Sequence, residues 1–283
     1  MRPGAIWTCA AASLAAGFAC GRTAPRPPGP IASALVEVAA DFGAQPRAVD
    51  DAWVELEALA ARVRTRHQKS GADEVDDLRA VIFDDVKFER EIDSGDPRTF
   101  VLSSVLAAHR GSCLGLGALA LALAERLDLP LDGIMVPGHF FVRTRGAHPR
   151  NLELLRRGET MPDAWYRTKY GPWPEGTSVY FRPIAVSELV GLHWFNAGNF
   201  FRAQADLGAA KHAFARAVEE FPEFAEASAS LGAIHQLEGA LPEAKIAYDR
   251  AGRARPDLPG LEENRALLQQ ELLPSPVTRR PSP

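Results

Sequence analysis

The sequence predicts an α+β protein: a helical N-terminal part, a core of one cysteine-headed helix on a small antiparallel sheet, and helical hairpins at the C-terminus. Three observations predict it. Apolar residues recur at helical spacing from Ile31 to about Glu91. Two short apolar runs, Leu131 to Val136 and His139 to Arg143, are parted by Pro137-Gly138. From Leu189 the chain repeats with a 34-residue period.

A chain of 283 residues, 46% hydrophobic and 24% charged, has the composition of an ordinary globular protein with material for a core. A net charge of −4, without a basic stripe interleaved with aromatics, argues against a nucleic-acid-binding role. The first twenty residues have one early arginine, Arg2, then an apolar run from Ala5 to Ala19 that is too short to span a bilayer. Small residues precede Cys20, the pattern of a bacterial lipoprotein signal, although Gly17 stands where such signals usually have leucine. Residues 1–20 are therefore read as a signal peptide of lipoprotein type, with Cys20 lipidated and 21–30 a disordered tether. A lipid-anchored periplasmic protein of the bacterial cell envelope follows, the lipid being its one link to the membrane. A cleaved secretory signal and a cytoplasmic protein are the alternatives. On the lipoprotein reading Cys9 leaves with the signal, and Cys113 is the one remaining thiol, either buried and inert or reactive.

Leu35, Val38 and Phe42 mark the first helical stripe, Trp53, Leu56, Leu59 and Val63 the second, and Leu78, Val81, Ile82 and Val86 the third. The carboxylate pairs Asp50-Asp51, Asp73-Glu74, Asp76-Asp77 and Asp84-Asp85 read as solvated faces and helix starts rather than an acid/base site. Asp96 and Pro97 begin a further helix that ends near His109-Arg110-Gly111, with Gly111 as its left-handed cap. The next helix, from Ser112 or Cys113 to Leu127, is apolar on nearly all sides and is read as the central buried one. Gly115 and Gly117 within it call for close approach of another backbone or a ligand.

A thiol at the positive end of that helix and an imidazole on a nearby strand are the parts of a cysteine nucleophile with its base. Alternation puts His139, Phe141 and Arg143 on one face and Phe140 and Val142 on the other. A hairpin centred near Arg145 sets Asn151 opposite His139, making Asn151 the preferred orienter of the imidazole. Glu153 has the same parity and becomes the alternative under a small register change. The other histidines lack this context: His109 reads as a surface or capping residue, and His148 and His193 have no partner at useful spacing. There is no metal-ligand cluster and no glycine-rich phosphate loop after a strand, so neither metal nor cofactor is expected.

Residues 156–183 carry Trp165, Tyr166, Tyr170, Trp173 and Tyr180 in an irregular stretch, either an aromatic-stapled loop or a wall of a substrate groove. Leu189–Pro222 and Glu223–Pro256 then align position by position, with Leu207 matching Leu241, Phe214 matching Tyr248 and Pro222 matching Pro256. This 34-residue pattern resembles the tetratricopeptide repeat, with a capping helix to Leu273 and a disordered tail over 274–283. The domains are thus the core over 31–188 and the repeats with their cap over 189–273.

The stretches Phe100-Val101-Leu102-Ser103-Ser104-Val105-Leu106, Arg110-Gly111-Ser112-Cys113-Leu114-Gly115-Leu116 and Pro137-Gly138-His139-Phe140-Phe141-Val142-Arg143 resemble the SirB1-type transglutaminase-like family. The resemblance covers roughly Leu78 to Pro256. It implies a papain-like α+β core with Cys113 as nucleophile, His139 as base and Asn151, alternatively Glu153, where the wider superfamily usually has aspartate. The backbone N–H of Cys113 at the helix start would serve an oxyanion hole. Two functions stay open on this reading. One is a thiol-dependent amide or ester hydrolase or acyl transferase. The other is a non-catalytic scaffold whose repeats bind a peptide or protein partner around a vestigial core.

Overall fold

The computed structural model describes residues 29–92, 95–173 and 179–273. The expected leader with Cys20, the tether as far as residue 28 and the tail over 274–283 lie outside the described residues. The fold is α+β, mostly helical with small sheets. Among the described residues no helix is long and apolar enough to cross a membrane.

Helix α1 (Pro30–Asp41) starts at the last residue assigned to the tether. Its first amides are tied down from elsewhere: Ile31 and Ala32 N–H donate to the Glu125 carboxylate at 2.9 and 3.0 Å, so a distant helix satisfies donors that α1 cannot. Helix α2 (Pro46–Ser70) buries Leu56, Leu59 and Val63, as their spacing predicts. Asp73 caps α3 (Glu74–Ala80) and, together with Asp76, holds Arg150. Asp77 departs from the solvated-face reading. It is 2% exposed and is held by Arg66, His67 and Ser70, the last at 2.8 Å. Beyond α3 the third stripe continues as a π-helical turn over Val81–Asp85, which keeps Val81, Ile82 and Phe83 buried.

Asp96 caps a 3₁₀ turn at Pro97–Thr99 rather than one continuous helix, and α4 (Leu102–Ala108) follows. The left-handed residue that ends α4 is His109 (φ 49°) and not Gly111, which is extended. Gly111 is drawn into β2 (Arg110–Gly111), parallel to β1 (Glu89–Arg90). That pairing leads directly into α5 (Cys113–Leu127), whose N-cap Ser112 accepts from Gly115 N–H. The expected close approach of another backbone is observed at Gly115, whereas at Gly117 the close neighbour is a side chain. A Cβ on Gly115 would lie 2.2 Å from the carbonyl oxygen of Thr99, and one on Gly117 would lie 2.4 Å from the Phe140 ring.

The larger sheet is antiparallel, in the order β3 (Leu131–Val136), β4 (His139–Thr144), β5 (Asn151–Glu153) and β6 (Glu159–Met161). Pro137 and Gly138 form a two-residue turn, with Gly138 at φ 70° where a side chain would be strained. α5 covers the Phe140 face of the sheet. The opposite face, with His139 and Phe141, is covered by the aromatic side chains of α6 (Asp163–Tyr170).

Five helices complete the chain: α7 (Val186–Ala203), α8 (Leu207–Glu220), α9 (Ala225–Leu237), α10 (Leu241–Ala254) and α11 (Leu261–Leu272). α10 begins and ends 34 residues after α8. The same contact recurs at that offset. A Cβ on Gly198 would meet the Phe214 ring at 2.5 Å, and one on Gly232 the Tyr248 ring at 2.7 Å. α10 and α11 bury Ala244, Tyr248, Ala251, Leu261 and Leu268 in a cluster of their own, whereas α7, α8 and the start of α9 share the core of the sheet. Leu192, Trp194, Phe221 and Phe224 belong to the same buried cluster as Leu114 and Phe140.

Candidate active site

The site forms where the start of α5 meets the start of β4. Cys113 occupies the first turn of α5, where Cys113 and Leu114 N–H have no carbonyl partner within the helix and the helix field is positive. Ser112 N–H donates to the Thr99 carbonyl at 2.7 Å, which fixes the entry into that turn. Cys113 is partly exposed and unpaired by disulfide. Its side chain is hydrogen-bonded to His139.

The imidazole is held from three sides. Its Nε2–H donates to Glu153 Oε2 at 2.7 Å, which leaves Nδ1 to face the thiol. The other Glu153 oxygen, Oε1, accepts from Leu155 N–H at 3.1 Å, so the carboxylate is fixed at both ends and is 1% exposed. The Tyr170 ring stacks on the imidazole at 4.4 Å between centroids and 4° between planes. Burial disfavours the imidazolium, but hydrogen bonds and charge from Cys113 and Glu153 outweigh it and raise the His139 pKa to about 9. Burial and the Glu153 charge both push the Tyr166 phenol up, so it stays protonated beside the carboxylate.

Asn151 does not occupy the position expected for it. The β4–β5 register pairs Arg143 with Asn151 and Val142 with Leu152, which centres the hairpin near Ala147 instead of Arg145. Pro149 has no N–H to give the ladder, and the pairing closes only at Thr144 and Arg150. Continued toward His139, this register puts Glu153 opposite Phe141 and diagonal to His139 on the same face. Asn151 accepts from Arg143 and donates to the Met161 carbonyl at 3.0 Å and to Asp163 at 2.7 Å. It organises the β5–β6 edge and the start of α6, away from the imidazole. The structure thus brings together Cys113, His139 and Glu153. His109 is the exposed αL residue at the end of α4, and His193 is fully buried, bonded to the Leu189 carbonyl and lowered to about 4 by burial.

The raised His139 sets a pH dependence. Unfolded, the group titrates near 6.5, and folded near 9. Its contribution to stability is therefore complete below about 6.5 and is lost as pH rises through about 9. The urea midpoint is expected to fall across that window in the wild type, and this component should be missing from His139→Gln. Parallel midpoint curves for the two proteins would contradict the assignment.

A cavity of about 270 Å³ opens beside the pair. Its near side is formed by Ser112, Cys113, His139 and Phe140, and its far wall by Phe195 and Asn196 of α7 together with Phe224 and Glu226 at the start of α9. Spacing and motifs give no sign of this wall, because it depends on how the C-terminal helices dock against the sheet. Nor does the sequence reading reach Tyr170 as the imidazole's stacking partner. Among the described residues no group of three or more His, Cys, Asp and Glu is placed to hold a metal ion.

Residues 50–184 match the Transglutaminase-like superfamily. A UPF0162 protein of Xylella fastidiosa is 42% identical over 117 residues, 35% of this chain and 40% of that one. A UPF0162 protein of Pseudomonas aeruginosa is 34% identical over 97 residues, 33% of this chain and 36% of that one. The chain thus spans about 40% or less of the length of these curated relatives. A crystal structure of menin aligns over 85% of this chain and 74% of that one at 13% identity, with a TM-score of 0.40. Cys113, His139 and Glu153 all lie within the segment that is similar to the Transglutaminase-like superfamily.

Proposed function

We propose that this protein is a thiol-dependent amide or ester hydrolase or acyl transferase. The observation that carries the reading is the hydrogen-bonded series Cys113–His139–Glu153, a partly exposed thiol at a helix N-terminus backed by a buried imidazole and carboxylate. The Cys113 thiolate attacks the substrate carbonyl, and the Cys113 backbone N–H faces the developing oxyanion. Imidazolium His139 then protonates the leaving amine or alkoxide as the C–N or C–O bond breaks, leaving a thioester on Sγ. Water or an amine attacks the thioester and gives its proton to His139, and Sγ departs as thiolate. Glu153 keeps Nε2 protonated and the ring aimed at sulfur. The match to a transglutaminase-like domain supports this chemistry.

A SirB1-type protein with tetratricopeptide hairpins is part of the same proposal. It is supported by the 34-residue offset of α8 and α10 and by the matching glycine–aromatic contacts. The leader reading adds a location, the bacterial cell envelope, with Cys20 as the anchor.

Alkylation of Cys113 by iodoacetamide at pH 7 tests the pair directly. His139 is the hydrogen-bond partner and base of the thiol, and removing the base of a nucleophilic pair slows its reaction by about tenfold or more. His139→Ala is therefore expected to react about tenfold more slowly than wild type. Equal rates would overturn the proposal and favour the non-catalytic scaffold, whose search for a partner would begin at α7–α10.

A further inference from the structure

The cavity beside Cys113 is lined mostly by apolar groups, and its polar lining atoms differ in whether they are already engaged. Ser112 Oγ accepts from Gly115 N–H, and the Tyr180 hydroxyl donates to Glu226 Oε1. Asn196 donates its amide N–H to the Leu192 carbonyl at 2.8 Å, which orients Oδ1 as the free end of that side chain. Glu226 Oε1 also accepts from Arg255 at 2.9 Å, while Oε2, itself buried in the wall, has no hydrogen-bond partner. The far wall therefore offers two unspent acceptors, one of them on a carboxylate, against a single unspent donor, the second amide N–H of Asn196. Among the described residues no lysine or arginine lines the cavity; Arg255 stands behind Glu226 and is largely buried. An unsatisfied buried acceptor is costly unless a donor reaches it, and a carboxylate in an apolar wall favours a cation over a neutral group and repels an anion.

Resting on the nucleophile reading above, we infer that the far wall selects the acyl donor: the substrate carries an apolar body ending in an ammonium group, received at the Glu226 carboxylate beside Asn196. Its reacting carbonyl lies at the Cys113 end. At about 270 Å³ the cavity is just under the usual range for small-molecule sites, about 300–1,000 Å³, so it suits a short acyl chain or a terminal residue rather than a folded segment. The C-terminal helices act here as a specificity element of the enzyme site.

The test uses the full chain and three p-nitrophenyl esters of matched length, ending in an ammonium, a methyl or a carboxylate group. Wild type is expected to favour the ammonium ester over the methyl ester by about tenfold or more in kcat/KM, and to process the carboxylate ester least. Glu226→Gln puts a donor where the acceptor stood, while Arg255 keeps Asp257 at 3.5 Å. Its ammonium-to-methyl ratio is expected to fall to about one. Asn196→Asp, a second variant on the same wall, is expected to raise the ratio. An equal ratio in wild type and Glu226→Gln, or a preference for the carboxylate ester, overturns the inference. If no ester is turned over in a Cys113-dependent way, the nucleophile reading is the one that fails. Calorimetry with hexylammonium against hexanol then still decides the wall: tighter binding of the cation, weakened in Glu226→Gln, supports it, and equal binding overturns it.

Discussion

Replacing Glu153 with glutamine is expected to lower Cys113-dependent ester turnover by about 10²–10⁴-fold, the contribution of a positioned acid–base residue, because the carboxylate that orients it is lost. Geometry explains why so small a change should matter. The carboxylate accepts twice, from His139 Nε2–H at 2.7 Å and from Leu155 N–H at 3.1 Å. An amide has one oxygen. Turned toward Leu155, the glutamine presents its NH₂ to an imidazole N–H; turned toward His139, it faces Leu155 N–H with a second donor. Either choice leaves a buried donor unsatisfied, and both remove the negative charge that helps hold His139 protonated to about 9. The His139 ring titration, followed by NMR, should therefore move to lower pH in Glu153→Gln. Asn151→Ala is the matched comparison. It loses contacts to Arg143, Met161 and Asp163 at a cost of about 1–3 kcal/mol in stability, while kcat/KM stays within a few-fold of wild type. Full activity in Glu153→Gln with a collapse in Asn151→Ala would return the orienting role to the asparagine.

That comparison also marks where the sequence is legible and where it is not. The helical stripes, the cysteine at the head of α5 and the histidine at the head of β4 are local patterns, each fixed by residues a few positions apart. So is the Pro137-Gly138 turn. The choice between Asn151 and Glu153 hangs on a hairpin centre, and moving it by two positions keeps every side chain on its face while changing which one stands beside the imidazole. Parity is therefore readable, whereas register depends on how the turn after Thr144 accommodates Pro149. Gly111 illustrates the same limit. A glycine after a helix reads as its left-handed cap, but pairing with Arg90 some twenty positions earlier holds it extended and passes the left-handed conformation to His109. Glu226 lies beyond any local rule, because more than a hundred residues separate it from Cys113 and only the docking of α7 and α9 brings them to one cavity.

Gly115→Ala is expected to be among the most destabilising single substitutions in the domain, by about 3 kcal/mol or more, read as a fall in the urea midpoint. Helix propensity argues the other way, since alanine is favoured over glycine by about 1 kcal/mol in a helix interior. Packing wins because of what the new methyl would meet. It would stand 2.2 Å from the Thr99 carbonyl oxygen, 2.8 Å from Val105 Cγ2 and 3.0 Å from Phe100 Cα, and two of these three are backbone atoms that no rotamer change can move. The Thr99 carbonyl is also the acceptor for Ser112 N–H at 2.7 Å, so relieving the clash pulls apart the contact that positions the first turn of α5. Cys113 should then lose its alignment with His139, and alkylation should slow even in conditions where Gly115→Ala remains folded. Gly208 supplies the opposite case. It lies in the exposed first turn of α8, and a methyl group there would meet nothing nearer than 3.7 Å, so Gly208→Ala should be neutral or stabilising by up to about 1 kcal/mol. A Gly115→Ala protein as stable as Gly208→Ala would mean that α5 can shift away from Thr99 at little cost. In that event the tight seat of the thiol on the 3₁₀ turn could not be what holds Cys113 against the imidazole.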